Sequence, residues 1–475
     1  MDDFRKHGYA LVDWIAEYLT GSDRYPVLPS VAPGDVRQAL PASPPETGDS
    51  FDAIMRDFER VIVPGLTHWN HPGFFAYFAI TASAPGVLAE FLSAALNQQA
   101  MLWRTSPAAT ELEAVTLGWL RELLGLPSSF EGVIYDTASI STLHALAAAR
   151  EAAIPGVRQH GLTRRGLGRI AVYCSNQAHS SVDKAVMLLG LGQEALRRIS
   201  TDSEFRLRGD ALRTAIARDT ADGIRPLAVV ATAGTTSSTS VDSIAEIARI
   251  CAETNIWLHV DAAYAGVTAM LPDRRQLFSG WEQADSIVVN PHKWLFVPFD
   301  LSAFYCRRMD VVRSAFSVVP DYLRTRESSL NLMDTGIQLG RRFRALKLWM
   351  VLRHFGAAGI RAALAEHMTL ARTFAAWVDA HPDFERVAPV PFSVVCFRAN
   401  PVVGRPAGLD LDAFNEELLN RVNAVGDVFL SQTRLDGTLV LRLAIGHLRT
   451  REAHVRRAWD LLREHTDGLL REARG

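Results

Sequence analysis

Two residues at the ends of consecutive apolar runs have side chains that could act together in chemistry. Asp261 ends the run IWLHVD, and Lys293 follows the run DSIVVNPH. A lysine amine set among apolar groups is pushed toward its neutral, nucleophilic form. A buried carboxylate must be compensated by a cation or by hydrogen bonds, because its desolvation is unfavourable. An amine and an acid placed in this way suit a cofactor that carries both an aldehyde and a basic ring nitrogen.

Pyridoxal 5'-phosphate (PLP) is such a cofactor. Lysine forms a Schiff base with its aldehyde, and a carboxylate keeps its pyridine nitrogen protonated so that the ring accepts electrons. Few lysines compete for this role, because the chain contains only Lys6, Lys184, Lys293 and Lys347. Three of them lie in helix-like stretches beside arginine or acidic residues, which is typical of solvated side chains. Lys293 instead precedes the apolar run WLFV, which favours it as the reactive amine.

Asp261 has two alternative interpretations. An acid that follows a strand often caps the next helix. His259 lies two residues earlier on the same side of the strand, so a His/Asp metal pair is conceivable. No third ligand stands at a recognisable spacing, and a metal site is therefore not predicted.

The PLP phosphate needs hydrogen-bond donors, and three polar turns offer them. The segment GVIYDTASISTLHALAAARE runs from a strand through small polar residues into a helix. The backbone N–H groups of Ala138 and Ser139 at such a helix start can hold a dianion. The turns AGTTSS and SNQAHSS also follow apolar runs, and they add Thr235 and His179 at the same sheet edge. Alone, this signal is weak, because Ser and Thr cap many helices.

The elements that must position these residues alternate between apolar β-branched runs and helical patterns. The runs fall at 169–174, 226–234, 256–263, 285–291 and 301–306, with helix-like segments near 181–190, 209–219 and 243–254. Near-continuous apolar strands that alternate with helices predict an α/β fold with a mostly parallel sheet flanked by helices. Ligands of such sheets bind at the edge where strands end and helices begin.

The chain length and the order of the elements predict three parts. At about 150 residues per domain, a chain of 475 residues corresponds to two or three units. Residues 1–75 form an N-terminal helical segment, whose opening helix has little chain beside it and is expected to pack on another domain or subunit. Residues 76–356 form the large domain, and residues 357–475 form a small C-terminal α+β domain.

The composition excludes several classes of protein. Lys plus Arg is 50 and Asp plus Glu is 52, and the net charge of -2 gives no electrostatic basis for binding nucleic acid or an anionic membrane. No apolar run approaches the roughly 18 residues of a membrane span, and the opening MDDFRKHG is too polar for a signal peptide. The four cysteines form no CxxC pair, so neither a disulfide framework nor a thiolate zinc site is expected. We therefore expect a cytoplasmic globular enzyme.

The sequence resembles the group II PLP-dependent amino-acid decarboxylases, most closely the aromatic-L-amino-acid decarboxylase branch. The matching stretches follow the family's order over most of the chain: HPGFFAYF (71–78), SPAATELE (106–113), SNQAHSSVDKA (175–185), HVDAAYAG (259–266), NPHKWL (290–295), LGRRFRALKLW (339–349) and LRLAIGHLRTREAHVRRAW (441–459). NPHKW after HVDAAYAG is highly specific. The resemblance implies a fold-type I PLP-dependent transferase-like architecture, an amino-acid substrate and a homodimer with a shared active site.

The resemblance assigns catalytic roles to three matching positions. It implies that Lys293 forms the Schiff base and that Asp261 holds the pyridinium. His179 is implied to stack on the cofactor ring and to reach the substrate, while Ala263 lies against the other ring face.

The resemblance also assigns binding roles. The phosphate contacts are Ala138, Ser139 and His292, with Thr235 and Asn290 nearby. The residues that would line the substrate pocket, partly from the second chain, are Trp69, Phe78, Met101 and Leu102.

One departure from the family concerns loop 319–338, which is implied to close over the site. The typical decarboxylase carries there a tyrosine that protonates the α-carbon after carbon dioxide has left. Counting back from Leu339, Leu332 takes this position beside the substrate, and a slightly shifted alignment gives Thr335 instead. Tyr322 matches a different tyrosine of the family. Relatives without the tyrosine are aldehyde synthases, which release aldehyde, ammonia and peroxide rather than amine.

A second departure is the turn YDTASI, where the family commonly has a Gly-Ser-Ala-Ser run. Asp136 brings a carboxylate near the expected phosphate, which is unfavourable unless the carboxylate points away or pairs with an arginine such as Arg104.

The predicted function is PLP-dependent decarboxylation of an L-amino acid, aromatic by resemblance, to an amine and carbon dioxide. The nearest alternative is an aldehyde synthase. A PLP-binding protein that has lost catalysis and a metal hydrolase using His259 and Asp261 are more distant alternatives.

Overall fold

The computed structural model describes residues 2–163, 167–318, 331–402, 405 and 408–474. Residues 319–330 of the expected loop, including Tyr322, lie outside this part of the chain. The chain divides into two compact units, a larger one of residues 80–369 and 388–396 and a smaller one of residues 1–79, 370–387 and 397–475. The three-part division expected from the sequence stays a prediction.

The strands and helices are numbered in chain order. The strands are β1 (Phe74–Phe75), β2 (Glu131–Tyr135), β3 (Ile170–Ser175), β4 (Leu196–Ile199), β5 (Arg225–Thr232), β6 (Trp257–Asp261), β7 (Ser286–Val289), β8 (Ser302–Cys306), β9 (Phe384–Arg386), β10 (Val394–Ala399), β11 (Phe429–Leu435) and β12 (Thr438–Ala444). The helices are α1 (Asp2–Gly21), α2 (Asp35–Ala39), α3 (Phe51–Asp57), α4 (Ala84–Leu96), α5 (Pro107–Leu124), α6 (Ala138–Ala153), α7 (Val157–His160), α8 (Ser181–Leu188), α9 (Gly209–Ala221), α10 (Ile244–Thr254), α11 (Pro291–Trp294), α12 (Met309–Phe316), α13 (Ala345–Ala380), α14 (Leu411–Ala424) and α15 (Glu452–Glu472).

The larger unit is built on a seven-stranded sheet with the order β2-β8-β7-β6-β5-β3-β4. The pairs β3–β4, β3–β5, β5–β6 and β6–β7 are parallel, whereas β8 is antiparallel to both β7 and β2. The five apolar runs predicted as strands form β3, β5, β6, β7 and β8. Every residue of β6, β7 and β8 is buried, as expected for strands covered on both faces. The predicted α/β architecture is confirmed.

The parallel strands bring the chemistry to one edge of this sheet. Asp261 is the last residue of β6, and Lys293 lies in α11, three residues after the Asn290 that follows β7. Ala138 begins α6 shortly after β2, and His179 lies in the turn between β3 and α8.

The second sheet has five strands in the order β1-β11-β12-β10-β9. Strands β11 and β12 form an antiparallel hairpin, and β1 pairs in parallel with β11. Helix α14 begins after Asp410, whose carboxylate accepts hydrogen bonds from the N–H groups of Asp412 and Ala413.

The expectation that Lys347 is solvated is wrong. Its side chain is 2% exposed, and its Nζ atom lies 2.5 Å from Oε1 of Glu90. Burial lowers the pKa of Lys347, and the bond to Glu90 acts in the opposite direction. Arginine neighbours in the sequence did not reveal this burial, because Glu90 lies 257 positions away along the chain.

Candidate active site

Backbone hydrogen bonds tie the ends of β6 and β7 together. The N–H group of Ala263 donates to Oδ1 of Asp261 at 3.1 Å, and the carbonyl of Ala263 accepts from the N–H group of Asn290 at 3.0 Å. The N–H group of Lys293 then donates to the carbonyl of Asn290 at 2.9 Å. Asp261 is only 7% exposed. These bonds fix the backbone positions of Asp261 and Lys293 at the same sheet edge.

The Lys293 amine is shifted toward its neutral form. Burial lowers the pKa of Lys293, and the charge of Asp261 acts in the opposite direction. The side chain is still partly accessible. A neutral, reachable amine near a carboxylate has the properties that a Schiff-base lysine requires.

His179 is the second titratable group that interacts with Asp261. Partial desolvation lowers the pKa of His179, and the charge of Asp261 opposes that shift. The N–H group of Ser181 donates to Nδ1 of His179 at 3.1 Å, so the neutral ring carries its proton on Nε2. His179 is exposed, which leaves this proton available to a ligand.

The start of α6 supplies backbone donors. The first N–H groups that bond back to the carbonyl of Thr137 are those of Ile140 and Ser141, both at 3.1 Å. The N–H groups of Ala138 and Ser139 precede this ladder, where a helix has unsatisfied donors that favour an anion.

Asp136 is held away from an ion pair with Arg104. Its Oδ1 atom accepts from the N–H group of Thr137 at 2.6 Å, and its Oδ2 atom accepts from Nε2 of Gln338 at 3.2 Å. Arg104 is exposed. The carboxylate therefore connects the turn before α6 to the segment that precedes LGRRF.

Asn290 and His292 form a buried polar pair with unused donors. The N–H group of Leu301 donates to Nδ1 of His292 at 2.8 Å, and burial lowers the pKa of His292 to about 3. The ring is therefore neutral with its proton on Nε2, and that atom lies 3.3 Å from Nδ2 of Asn290. The other end of the amide has no partner among the described residues. In either orientation of the amide, at least one N–H group of the pair lacks an acceptor, so the pair suits an anionic group such as a phosphate.

Thr235 is fully buried within its own turn. Its hydroxyl lies 3.0 Å from that of Ser238 and accepts from the N–H group of Ser240 at 3.1 Å. These bonds shape the turn after β5, and the expected role of Thr235 near the phosphate stays a prediction.

Three of the residues expected to line the substrate pocket lie close together in the larger unit. Met101 and Leu102 pack with Met333, whose N–H group donates to the carbonyl of Met101 at 3.1 Å. Leu332 and Trp103 border a cavity of about 310 Å³. Among the described residues that line this cavity, neither Lys293 nor Asp261 is present.

The shifted alignment that placed Thr335 at the tyrosine position is disfavoured by its surroundings. Thr335 is 2% exposed, and its hydroxyl donates to the carbonyl of Leu332 at 2.6 Å. Leu332 itself is partly exposed and borders the cavity.

Trp69 and Phe78 belong to the smaller unit. Trp69 stacks on Phe74 with ring centroids 4.4 Å apart, and the guanidinium of Arg442 lies 5.4 Å from the ring centroid of Phe78. Their expected contribution to the substrate pocket stays a prediction.

A buried ion pair that sequence reasoning missed holds the segment around Met101. Nη2 of Arg341 donates to Oε1 of Glu113 at 2.7 Å and to the carbonyl of Ile134 at 2.8 Å, and its Nη1 atom donates to the carbonyl of Ala100. The signal was present in α5, because Glu113 lies four residues after the buried Ala109 and four before the buried Leu117. An acid on the buried face of a helix requires a buried cation.

Two further classes of site are absent from the part of the chain that the structure describes. No group of three His, Cys, Asp or Glu side chains there could hold a metal ion. No helix there has the length and apolar character needed to cross a membrane.

Comparison with known proteins decides the family. Residues 33–400 match the "Pyridoxal-dependent decarboxylase conserved domain". The chain belongs to the pyridoxal-dependent decarboxylase family. PLP is the cofactor of this decarboxylase, and the resemblance inferred from the sequence motifs is confirmed.

The relatives extend over the whole chain. The aromatic-L-amino-acid decarboxylase of Sus scrofa is 42% identical over 489 residues, which cover 99% of this chain and 96% of that protein. The phenylacetaldehyde synthase of Arabidopsis thaliana is 40% identical over 481 residues, which cover 99% and 97%. The crystal structure of Oryza sativa TDC with PLP and tryptamine has a TM-score of 0.95 at 37% identity and covers 99% of both chains. The decarboxylase thus has the predicted fold-type I architecture, and it is an amino-acid carboxy-lyase.

Proposed function

We propose that the decarboxylase converts an aromatic L-amino acid to the corresponding amine and carbon dioxide. The observation that carries the proposal is the pairing of the β6 and β7 ends, which holds the Asp261 carboxylate and the Lys293 amine, whose pKa is lowered by burial, at one sheet edge. Similarity to aromatic-L-amino-acid decarboxylase over nearly the full length of both chains supports the aromatic substrate.

Individual residues have separate parts in this proposal. PLP supplies an electron sink that stabilises the charge left on the α-carbon when the carboxylate departs. Lys293 holds the cofactor through its amine until the substrate amine replaces it. Asp261 keeps the proton on the pyridine nitrogen, and Ala263 bounds one face of the ring. Nε2–H of His179 donates to the substrate on the opposite face.

The phosphate end of the proposed site uses two sets of donors. The N–H groups of Ala138 and Ser139 begin α6, and the buried pair of Asn290 and His292 has an N–H group without an acceptor among the described residues. Donors fixed by the backbone and by burial can bind a dianion without reorganisation.

An aldehyde synthase is the second candidate, and Leu332 favours it. A leucine cannot deliver a proton to the α-carbon, so the carbanion has a longer lifetime in which to react with dioxygen. The similarity to a phenylacetaldehyde synthase agrees with this outcome. The proposal of an amine product therefore requires another proton source, and we propose Nε2–H of His179 for this role.

Product analysis in air and without oxygen separates the two candidates. Phenylalanine, tyrosine, tryptophan and 3,4-dihydroxyphenylalanine would each be supplied to the PLP-loaded enzyme. Equal amounts of amine and carbon dioxide in both atmospheres support the decarboxylase, whereas aldehyde, ammonia and peroxide formed only in air support the synthase. Failure to release carbon dioxide from all four would contradict both.

We also propose a homodimer with a shared active site. Helix α4 exposes four large apolar side chains on one face, Leu88, Phe91, Leu92 and Leu96, and α1 exposes Phe4, Tyr9 and Val12. Contiguous apolar surface of this kind is typical of an interface. Sedimentation at micromolar concentration should give twice the chain mass of 52.3 kDa, and a monomer would contradict the proposal. The cytoplasmic location stays a prediction that cell fractionation can check.

A further inference from the structure

A buried row of polar side chains lies on the sheet behind Asp261. Nε1 of Trp257 donates to Oγ of Ser286 at 3.0 Å, and the same Oγ lies 2.9 Å from Nδ1 of His259. His259 and Ser286 are cross-strand partners in the β6–β7 pair. Trp257 is 5% exposed, and His259 and Ser286 are completely buried. The row is therefore isolated from solvent.

The chemistry of the three groups sets the direction of the hydrogen bonds. An indole N–H group can only donate, so the Ser286 oxygen accepts from Trp257. The bond between Ser286 and Nδ1 of His259 runs in the direction set by the imidazole tautomer, and the negative charge of Asp261 favours the tautomer in which Ser286 donates to Nδ1 and the ring proton lies on Nε2. Burial lowers the pKa of His259 to about 4, so the ring is neutral. A neutral imidazole that accepts at Nδ1 carries its proton on Nε2.

This Nε2–H group has no acceptor among the described residues, although it is fully buried. Asp261 follows His259 by two residues, so both side chains leave β6 on the same face. The negative charge of Asp261 acts on His259 and raises its pKa against the effect of burial. Thr232, the cross-strand partner of Asp261 on β5, has a buried hydroxyl that also lacks a partner among the described residues.

We propose that Trp257, Ser286 and His259 act as positioning residues that direct a fixed N–H dipole toward Asp261. The dipole favours the ionised carboxylate and restricts its rotation, so Asp261 stays able to hold the proton of the pyridine nitrogen. This inference rests on the proposed role of Asp261. It adds a function for His259, which sequence reasoning considered only as a member of a metal pair.

The test compares five variants of the enzyme by two measurements. The ¹⁵N chemical shift of the labelled pyridine nitrogen reports its protonation, and titration reports the affinity for PLP. His259→Phe should weaken PLP binding by about tenfold, as loss of an outer hydrogen bond does at other cofactor and metal sites, and should reduce the protonated fraction. His259→Gln should restore both values, because its amide keeps an N–H group at a similar reach.

Ser286→Ala is the milder variant if His259→Phe does not fold. It removes the hydroxyl that fixes the imidazole tautomer, and it should shift the ¹⁵N signal in the same direction. Tyr173→Phe is the matched control, because Tyr173 lies on strand β3 of the same sheet. The substitution deletes a buried hydroxyl that donates to Asp219 at 2.9 Å. The control should leave both measurements unchanged.

Asp261→Asn separates this inference from the proposed function. If Asp261→Asn removes the pyridine proton while His259→Phe and Ser286→Ala do not, the positioning role is wrong and the role of Asp261 stands. If Asp261→Asn keeps the pyridine proton, the role of Asp261 itself is wrong, and the inference fails with it.

Discussion

Single residues of the site differ in how far their surroundings determine their chemistry. Asp261 ends a buried strand and Lys293 follows another, and burial lowers the pKa of the Lys293 amine. His179 is exposed and has only its tautomer fixed, through Ser181. The first two positions therefore define the cofactor, whereas His179 is free to respond to the substrate.

Replacing Lys293 with alanine should remove the visible absorption that arises from the covalent link between the amine and PLP. We expect no other lysine to take its place, since Lys347 is buried against Glu90 and Lys6 and Lys184 lie exposed on α1 and α8. Lys184→Ala is the matched control, because Lys184 is exposed on α8 and its removal should leave the spectrum unchanged. A visible band that persists in the Lys293 variant would show that another amine holds PLP.

Replacing Leu332 with tyrosine should raise the ratio of amine to aldehyde. The new hydroxyl would supply a proton to the α-carbon before dioxygen reacts. Leu332→Phe is the control for ring size, since it adds the ring without the hydroxyl. Equal product ratios in the two variants would exclude Leu332 as the position that decides the product.

The burial of Asp261 and of the Lys293 surroundings was predictable from the sequence, because both residues adjoin local apolar runs. The sequence did not predict that Lys347 is buried or that the Thr235 hydroxyl is used within its own turn. Both features depend on a partner. Lys347 is buried against Glu90, which is remote in sequence, and the Thr235 hydroxyl contacts Ser238 and Ser240, which the turn after β5 brings to it. The contact of Asp136 with Gln338 was also inaccessible, since the two residues are 202 positions apart.

At the scale of elements, the ion pair of Glu113 and Arg341 connects α5, β2 and the segment around Met101. The two side chains are 3% and 7% exposed. Glu113→Gln should destabilise the protein by about 3–5 kcal/mol, because a buried guanidinium is left without a counter-charge. Urea unfolding measures the loss.

Glu131→Gln provides the matched control for this element. Its partner Arg313 lies at 2.8 Å, but the two side chains are 57% and 36% exposed. Loss of this pair should change the stability by less than about 1 kcal/mol. Equal effects of the two substitutions would show that the buried pair does not hold the fold together.

The alternation of strands and helices was predictable because a sheet covered on both faces needs continuous apolar strands. The break within α13 was not predicted: Gly356 has φ 61° and ψ 168°, outside the helical region. A glycine inside a helical pattern is compatible with either continuity or a kink, so the pattern alone does not decide.

At the scale of the whole molecule, several buried histidines make the folded state sensitive to acid. Burial lowers the pKa of His71 and His259 to about 4 and of His144 and His292 to about 3, below the ordinary 6.5. The unfolded chain therefore binds more protons, and stability is lost as the pH falls below 6.5 by about 1.4 kcal/mol per unit for each histidine.

Two carboxylates, Asp242 and Asp285, act in the opposite sense. Burial raises the pKa of Asp242 from 3.8 to about 6, so its part of the stability is lost as the pH rises through that range. The histidines outnumber these carboxylates, so the urea concentration at the midpoint of unfolding should decrease as the pH is lowered from 7 to 5. His144→Phe should reduce the slope of the unfolding free energy against pH by the equivalent of about one proton. An unchanged slope would show that His144 is protonated in the folded protein.

The burial of Lys347 has a practical consequence for labelling. Lys6 and Lys184 are the lysines that the described structure leaves exposed, while the proposed link to PLP would block the amine of Lys293. An acylating reagent should therefore modify Lys293 only in molecules that have lost the cofactor. Intact mass spectrometry of the acylated protein would then count loaded and empty subunits in one spectrum, since each empty subunit carries one additional acyl group.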